Sequence, residues 1–280
     1  MADEVRALEA CGQKGLLKAA ALLYHDVVED GRFDESGFPG AAAGRYKLRA
    51  DDFELHLQAI ARRAEGPPAV VDELDAERRA VPWLLTFDDG GSSALAIGER
   101  LAERGWRGHF FVTVDYIATP GFLGADAMRR LSELGHVIGS HSCSHPERMS
   151  RCTWEELLHE WGRSTEVLTE ILGRPVTTAS VPAGQYGTNV ARAAAAAGVQ
   201  ALFTSEPVLK VRQVDGCRVV GRLTIQRGVQ PETAAALACA RTAPRMRQYV
   251  FWNAKKAAKA LGGERYLQLR QWLLARPGAQ

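Results

Sequence analysis

Three short stretches place metal-ligating or proton-carrying side chains directly behind apolar runs. In LLTFDDGG, Asp88 and Asp89 follow Trp83–Phe87. In IGSHSCSH, His141 and His145 follow Val137–Ser140 and stand four residues apart. In ALLYHD, His25 and Asp26 follow Ala20–Tyr24. A catalytic zinc takes three protein ligands and keeps a position open for water. Two neutral imidazoles and one carboxylate leave such an ion a net positive charge, which stabilises an oxyanion on a polarised carbonyl. A second carboxylate beside it can serve as general base, and a histidine opposite can protonate a leaving amine. Taken singly, each cluster has an ordinary explanation. Twin aspartates cap turns, and a histidine behind a strand packs through a hydrogen bond. Chance accounts poorly for all three at once.

The elements that must position these residues follow a repeating order. Strand-like runs at 20–25, 83–87, 109–114, 137–140, 177–181, 201–204 and 222–226 alternate with helical patterns. The helices read at 51–64, 91–104, 125–134, 153–172, 189–197, 232–240 and roughly 247–274, and Gly105, Gly135 and Gly173 stand where three of them stop. This alternation predicts α/β architecture with a mainly parallel sheet, either closed into a barrel or open and doubly wound. In both, active sites collect where strands end and loops begin. No glycine-rich phosphate-binding fingerprint follows a strand, which weakens the dinucleotide-binding and P-loop readings. The stretches 29–44 and 65–82 read as surface loops, and neither has the length or bias of an interdomain linker. One catalytic domain over 1–280 is therefore expected, with its core at about 20–230 and a basic helical extension at about 241–280.

With these residues in view, the chain resembles the polysaccharide deacetylases, the NodB-homology group of carbohydrate esterases. Their T-F-D-D motif appears as Thr86–Asp89, and their H-[ST]-x-x-H motif as His141–His145, preceded by GHVIG at 135–139. The resemblance implies a distorted (β/α)7-type barrel that removes N-acetyl groups from an amino sugar. It implies Asp89, His141 and His145 as ligands of a divalent metal, usually Zn2+, with Asp88 as base. The late histidine motif of many members is absent, since no histidine follows His159. LLYHDV at 22–27 resembles instead the branch of biofilm poly-N-acetylglucosamine deacetylases, whose catalytic histidine lies near the N-terminus, so His25 becomes the expected acid. The third motif, R-P-P-Y-G in many members, is reduced to SVPAGQYG, and the arginine that orients the base is missing. Arg222 and Arg227, in RLTIQRG, are candidates for its electrostatic role or for substrate contact. Pro182 and Tyr186 are expected to shape or line the substrate pocket. Cys143 is expected to pack behind its loop, and His56, His109, His136 and His159 to be structural.

Composition narrows the class further. With 46% hydrophobic and 24% charged residues the chain reads as globular, and a formal charge of +2 gives no reason to expect nucleic acid as partner. Five cysteines without a C-x-x-C pair argue against a disulfide framework. No secretory signal or membrane-length apolar run is visible, so a cytoplasmic location is expected. From Arg241 to Gln280 there are nine Lys or Arg and one acid, Glu264. That extension is either a solvated helix or a peripheral contact with an anionic membrane. Two other functions stay open: hydrolysis of another amide or ester on a small biosynthetic intermediate, and carbohydrate binding without catalysis. An intact base argues against the second. Oligomeric state is not legible.

Overall fold

The computed structural model describes residues 16–77 and 80–254. Its frame is a run of short apolar strands: β1 (Ala20–Tyr24), β4 (Trp83–Phe87), β5 (His109–Val112), β6 (Val137–Ser140), β7 (Thr178–Ser180) and β8 (Ala201–Phe203). They pair side by side in that order, all parallel. A strand that is apolar throughout has no solvent face, so both of its sides must be covered. Here the helices 50–63, 94–102, 125–133, 154–172 and 188–196, in the intervals between strands, and 231–238, after the last of them, cover the outer side. The two faces of β1 show the division. Ala20, Leu22 and Tyr24 join the helix-side cluster with Phe53, Leu57 and Leu237, whereas Ala19 and Ala21 join a second cluster with Leu84, Phe111, Phe203 and Val220.

The sheet closes through one bent segment. β10 (Cys217–Val220) pairs with β8, and after a single residue β11 (Arg222–Thr224) pairs with β1. The segment 217–224 is thus the seventh stave, and the distorted seven-stave barrel implied by the resemblance is the observed architecture. Gly221 makes the bend possible. A Cβ there would lie 2.5 Å from the carbonyl oxygens of both Glu206 and Val208.

The sequence reading missed one hairpin. β9 (Arg212–Val214) runs antiparallel to β10 around Asp215 and Gly216, both at positive φ. The D-G pair between alternating residues was a hairpin signal. The stretch read as a loop at 29–44 also carries a short helix, Ala41–Gly44, and beside it β2 (Val27–Val28) pairs with β3 (Leu48–Arg49). In the expected C-terminal extension, residues 242–254 are helical and 255–280 lie outside the described residues. Among the described residues no helix is long and apolar enough to cross a membrane.

Candidate metal centre and active site

Parallel pairing brings the C-terminal ends of the staves to one rim, and the chemistry-bearing residues gather there. After β4 the chain turns sharply. Asp89 and Gly90 both have positive φ (77° and 80°), and a Cβ on Gly91 would overlap the Asp26 carboxylate. The first of these is a non-glycine residue in the left-handed region, the kind of strain that persists where surroundings enforce it. The turn sends the two aspartates in different directions.

Asp89 faces the histidines. Its Oδ1 lies 3.4 Å from His141 Nε2 and 3.7 Å from His145 Nε2. Three donors of a tetrahedral site with bonds of roughly 2.1 Å stand about 3.4 Å apart, so this spacing suits an ion of zinc size. It is the one such group of three among the described residues. The orientation of His141 is fixed from behind: its Nδ1 lies 3.1 Å from the Ser180 carbonyl and 2.5 Å from Ser180 Oγ. A carbonyl only accepts, so Nδ1 carries the proton and the Nε2 lone pair is left for a ligand. Burial pushes the His145 imidazole down to about 4, which keeps it neutral. Burial alone would raise the Asp89 carboxyl, but His141 and the other nearby imidazoles outweigh it and hold it well below the carboxylate range.

The loop between the histidines is built by Glu160, 8% exposed, on the helix 154–172. Its carboxylate accepts from the backbone N–H of Cys143 (2.8 Å) and Ser144 (3.0 Å) and from the Ser144 hydroxyl (2.7 Å). Those bonds hold Ser142 and His145 at positive φ, 66° and 58°. Cys143 is buried beneath, its Sγ toward the Glu160 carbonyl and outside the ligand group.

Asp88 faces inward. Arg222, fully buried at the start of β11, donates from its two terminal nitrogens to Asp88 Oδ1 (2.6 Å) and Oδ2 (2.8 Å), and from Nε to the Thr204 carbonyl (3.1 Å). The Ser180 hydroxyl donates to Asp88 Oδ1 at 3.1 Å, joining the aspartate to the backing of His141. Burial opposes charge on Asp88, and the Arg222 guanidinium more than offsets it, holding the carboxyl below its usual range.

Residues 75–202 match the polysaccharide deacetylase family profile. Over that stretch the chain is similar to the polysaccharide deacetylases. Peptidoglycan-N-acetylglucosamine deacetylase PgdA of Listeria monocytogenes is 32% identical to it over 110 residues, 38% of this chain. The chain spans about a fifth of that relative, 22% of its length. Similar solved folds include IcaB from Ammonifex degensii (TM-score 0.64, 19% identity, 80% of this chain and 98% of that one) and the deacetylase PplD of Streptococcus pyogenes (TM-score 0.61, 18% identity, 77% and 96%).

Within the barrel the remaining expected residues fall into separate places. His25 is half-buried at the end of β1, its ring 4.8 Å from Tyr46, and its Nδ1 is buried with no hydrogen-bond partner among the described residues. When protonated its charge lowers the carboxyls of both Asp88 and Asp89, so it lies at the same rim. Of the two roles expected for Arg222, the electrostatic one fits its place and the substrate contact is corrected: its side chain is 0% exposed and every guanidinium nitrogen is engaged by the protein. Arg227 is exposed, with its guanidinium over the Phe33 ring at 3.8 Å and bonded to the Gly44 carbonyl. It fastens the 33–44 segment rather than joining the ligand group. Pro182 is buried in the turn after β7, and Tyr186 packs with Met149 and Leu157 under the Arg212 guanidinium. His56, His109 and His136 are each engaged by backbone groups inside the fold.

Sequence reasoning passed over Glu160, Lys47 and the buried role of Asp26. It also read Ser180 only as the place of a missing arginine. Arg222, already a candidate for the missing arginine's electrostatic role, carried a further signal in its setting: a cation in the largely apolar run VVGRLTI. A charge inside a buried strand calls for a counter-charge.

Proposed function

We propose that this chain is a metal-dependent hydrolase that removes N-acetyl groups from an amino-sugar substrate, with its catalytic unit in residues 20–230. The observation that carries the proposal is the separation of the two aspartates. Asp89 joins two imidazoles in a ligand set, while Asp88 is held ionised by Arg222 a few ångströms away, with Asp88 Oδ2 4.0 Å from His141 Nε2. The donor set of two nitrogens and one carboxylate oxygen favours Zn2+. When bound, such a cation supplies Lewis acidity toward water and toward an amide carbonyl. The protein supplies the rest. Asp88 accepts a proton from the attacking water. His25, across the rim, gives one to the departing amine, and the names of PgdA and PplD, both deacetylases, agree with an amide as the bond broken.

Acetate release from a panel of N-acetylated sugars, polymeric and small, tests the assignment. Release is expected to stop after chelation and to return with Zn2+. Release unaffected by metal removal would refute it, and cleavage of small esters alone would favour the other hydrolase reading. His25→Ala is expected to leave zinc content unchanged and to lower kcat by about 10²-fold, the lower range for a lost proton donor. An unchanged kcat would remove His25 from the mechanism.

A further inference from the structure

Beside the ligand cluster stands a wall of three half-buried aromatic rings, on segments the hydrolytic chemistry does not use. The Phe38 ring centroid lies 4.7 Å from that of His145, 4.8 Å from Tyr116 and 5.1 Å from Phe122, and Tyr116 and Phe122 are 4.9 Å apart. None of the three belongs to the buried core clusters.

Phe38 sits on a segment without helix or strand, yet that segment is fastened from several sides. Lys47, 1% exposed, donates from its ammonium to the carbonyls of Phe33 (2.7 Å), Ser36 (2.5 Å) and Phe38 (2.6 Å). Asp26, 2% exposed, accepts from the hydroxyls of Ser36 (2.6 Å) and Ser93 (2.9 Å). Gly37 has φ of +65° and no room for a Cβ beside Asp26. The Gly37 N–H donates to the Gly121 carbonyl at 2.8 Å, tying the segment to the one that carries Phe122. Burying an ammonium against carbonyls and a carboxylate against hydroxyls is unfavourable for both ions, and the sites push the Lys47 pKa down and the Asp26 pKa up. A fold tolerates such groups where they fix something, and here they fix the backbone under Phe38.

Resting on the deacetylase reading above, we propose that Phe38, Tyr116 and Phe122 form a sugar-stacking subsite. It takes the apolar face of the pyranose next to the acetylated residue at the ligand cluster. The axial C–H bonds of a β-linked glucosamine ring make a flat apolar face, which packs against aromatic rings as other apolar surfaces do. A wall whose backbone is already fastened by these bonds needs less ordering on binding. The contact between Phe38 and His145 makes it continuous with the ligand cluster, so a chain lying across the site meets it next. Lys47 and Asp26 act as positioning residues for the wall.

The test is calorimetric binding of an N-acetylated β-linked glucosamine tetramer, and of the monosaccharide, to zinc-loaded protein in the Asp88→Asn background. Phe38→Leu and Phe122→Leu keep apolar bulk and remove the flat face. Each is expected to weaken tetramer binding about tenfold, with the monosaccharide changed less than about twofold and zinc content unaltered. Phe38→Tyr, which keeps the ring, is expected to restore the parent value. Unchanged tetramer binding, equal weakening of both sugars, or no tetramer binding by the parent would overturn the subsite. Acetate release by the wild-type protein, measured alongside, separates the two ideas: ring-dependent binding without release would refute the catalytic reading and leave the subsite standing.

Discussion

Asp88→Asn is expected to lower kcat by about 10³-fold while zinc content stays at the wild-type level, because the change removes a general base and no ligand. Asn has the size of Asp, and its Oδ1 can still accept from Arg222, so the geometry of the rim is kept. What it lacks is basicity: an amide does not take a proton from water near neutral pH. Zinc should remain bound, since Asp89, His141 and His145 are untouched and the backing of His141 by the Ser180 carbonyl is independent of Asp88. Stability falls, because Arg222 then lacks its counter-charge in a fully buried place; the cost is about 3 kcal/mol. Stabilities of about 5–15 kcal/mol absorb such a loss, so kinetics measured well below the melting temperature read the chemistry. Steady-state acetate release and elemental analysis on the same preparation check the result. Turnover close to wild type with zinc in place would end the assignment of Asp88 as base.

Much of this site was legible because its chemistry is local in sequence. Asp88 and Asp89 are adjacent, His141 and His145 share one loop, and each group follows an apolar run that could only be a buried strand. The α/β class and the mainly parallel sheet were legible from the alternation of strand and helix patterns, whereas the choice of a closed barrel over an open sheet came from the resemblance. The parts that stayed hidden depend on contacts between distant segments. Arg222 meets Asp88 across 134 residues, and Ser180 meets it across 92. Neither pairing follows from spacing. They follow from barrel closure, which puts the stave 217–224 beside β1 and therefore two staves from β4. Glu160 was hidden differently. On a helix rich in acids, only the fold shows which one turns inward to hold the histidine loop. The family arginine missing from SVPAGQYG is answered by the same closure. A guanidinium from the last stave reaches the aspartate, and the vacated place holds Ser180, small enough to bridge Asp88 and His141.

Arg222 therefore carries the second large effect. It touches Asp88 and no part of the open rim, so its removal should lower kcat and leave KM nearly unchanged. Arg222→Lys keeps a charge but offers a single point instead of a planar fork, and cannot hold both carboxylate oxygens and the Thr204 carbonyl together. A fall in kcat of about 10-fold or more is expected, the scale of losing a group that orients a reacting one. Arg222→Met goes further and leaves Asp88 charged, buried and unpaired, at about 3–5 kcal/mol of stability. The double variant Arg222→Met, Asp88→Asn has no charge left to strand. Its stability should therefore not be the sum of the two losses, but should match the better single variant to within about 1 kcal/mol. Urea unfolding of the four proteins measures this coupling directly. Additive losses, or an Arg222→Lys enzyme with wild-type kcat, would show that the pair is only part of the packing. A coupling of about 2 kcal/mol or more, with kcat down and KM unmoved, identifies Arg222 as the group that aims the base.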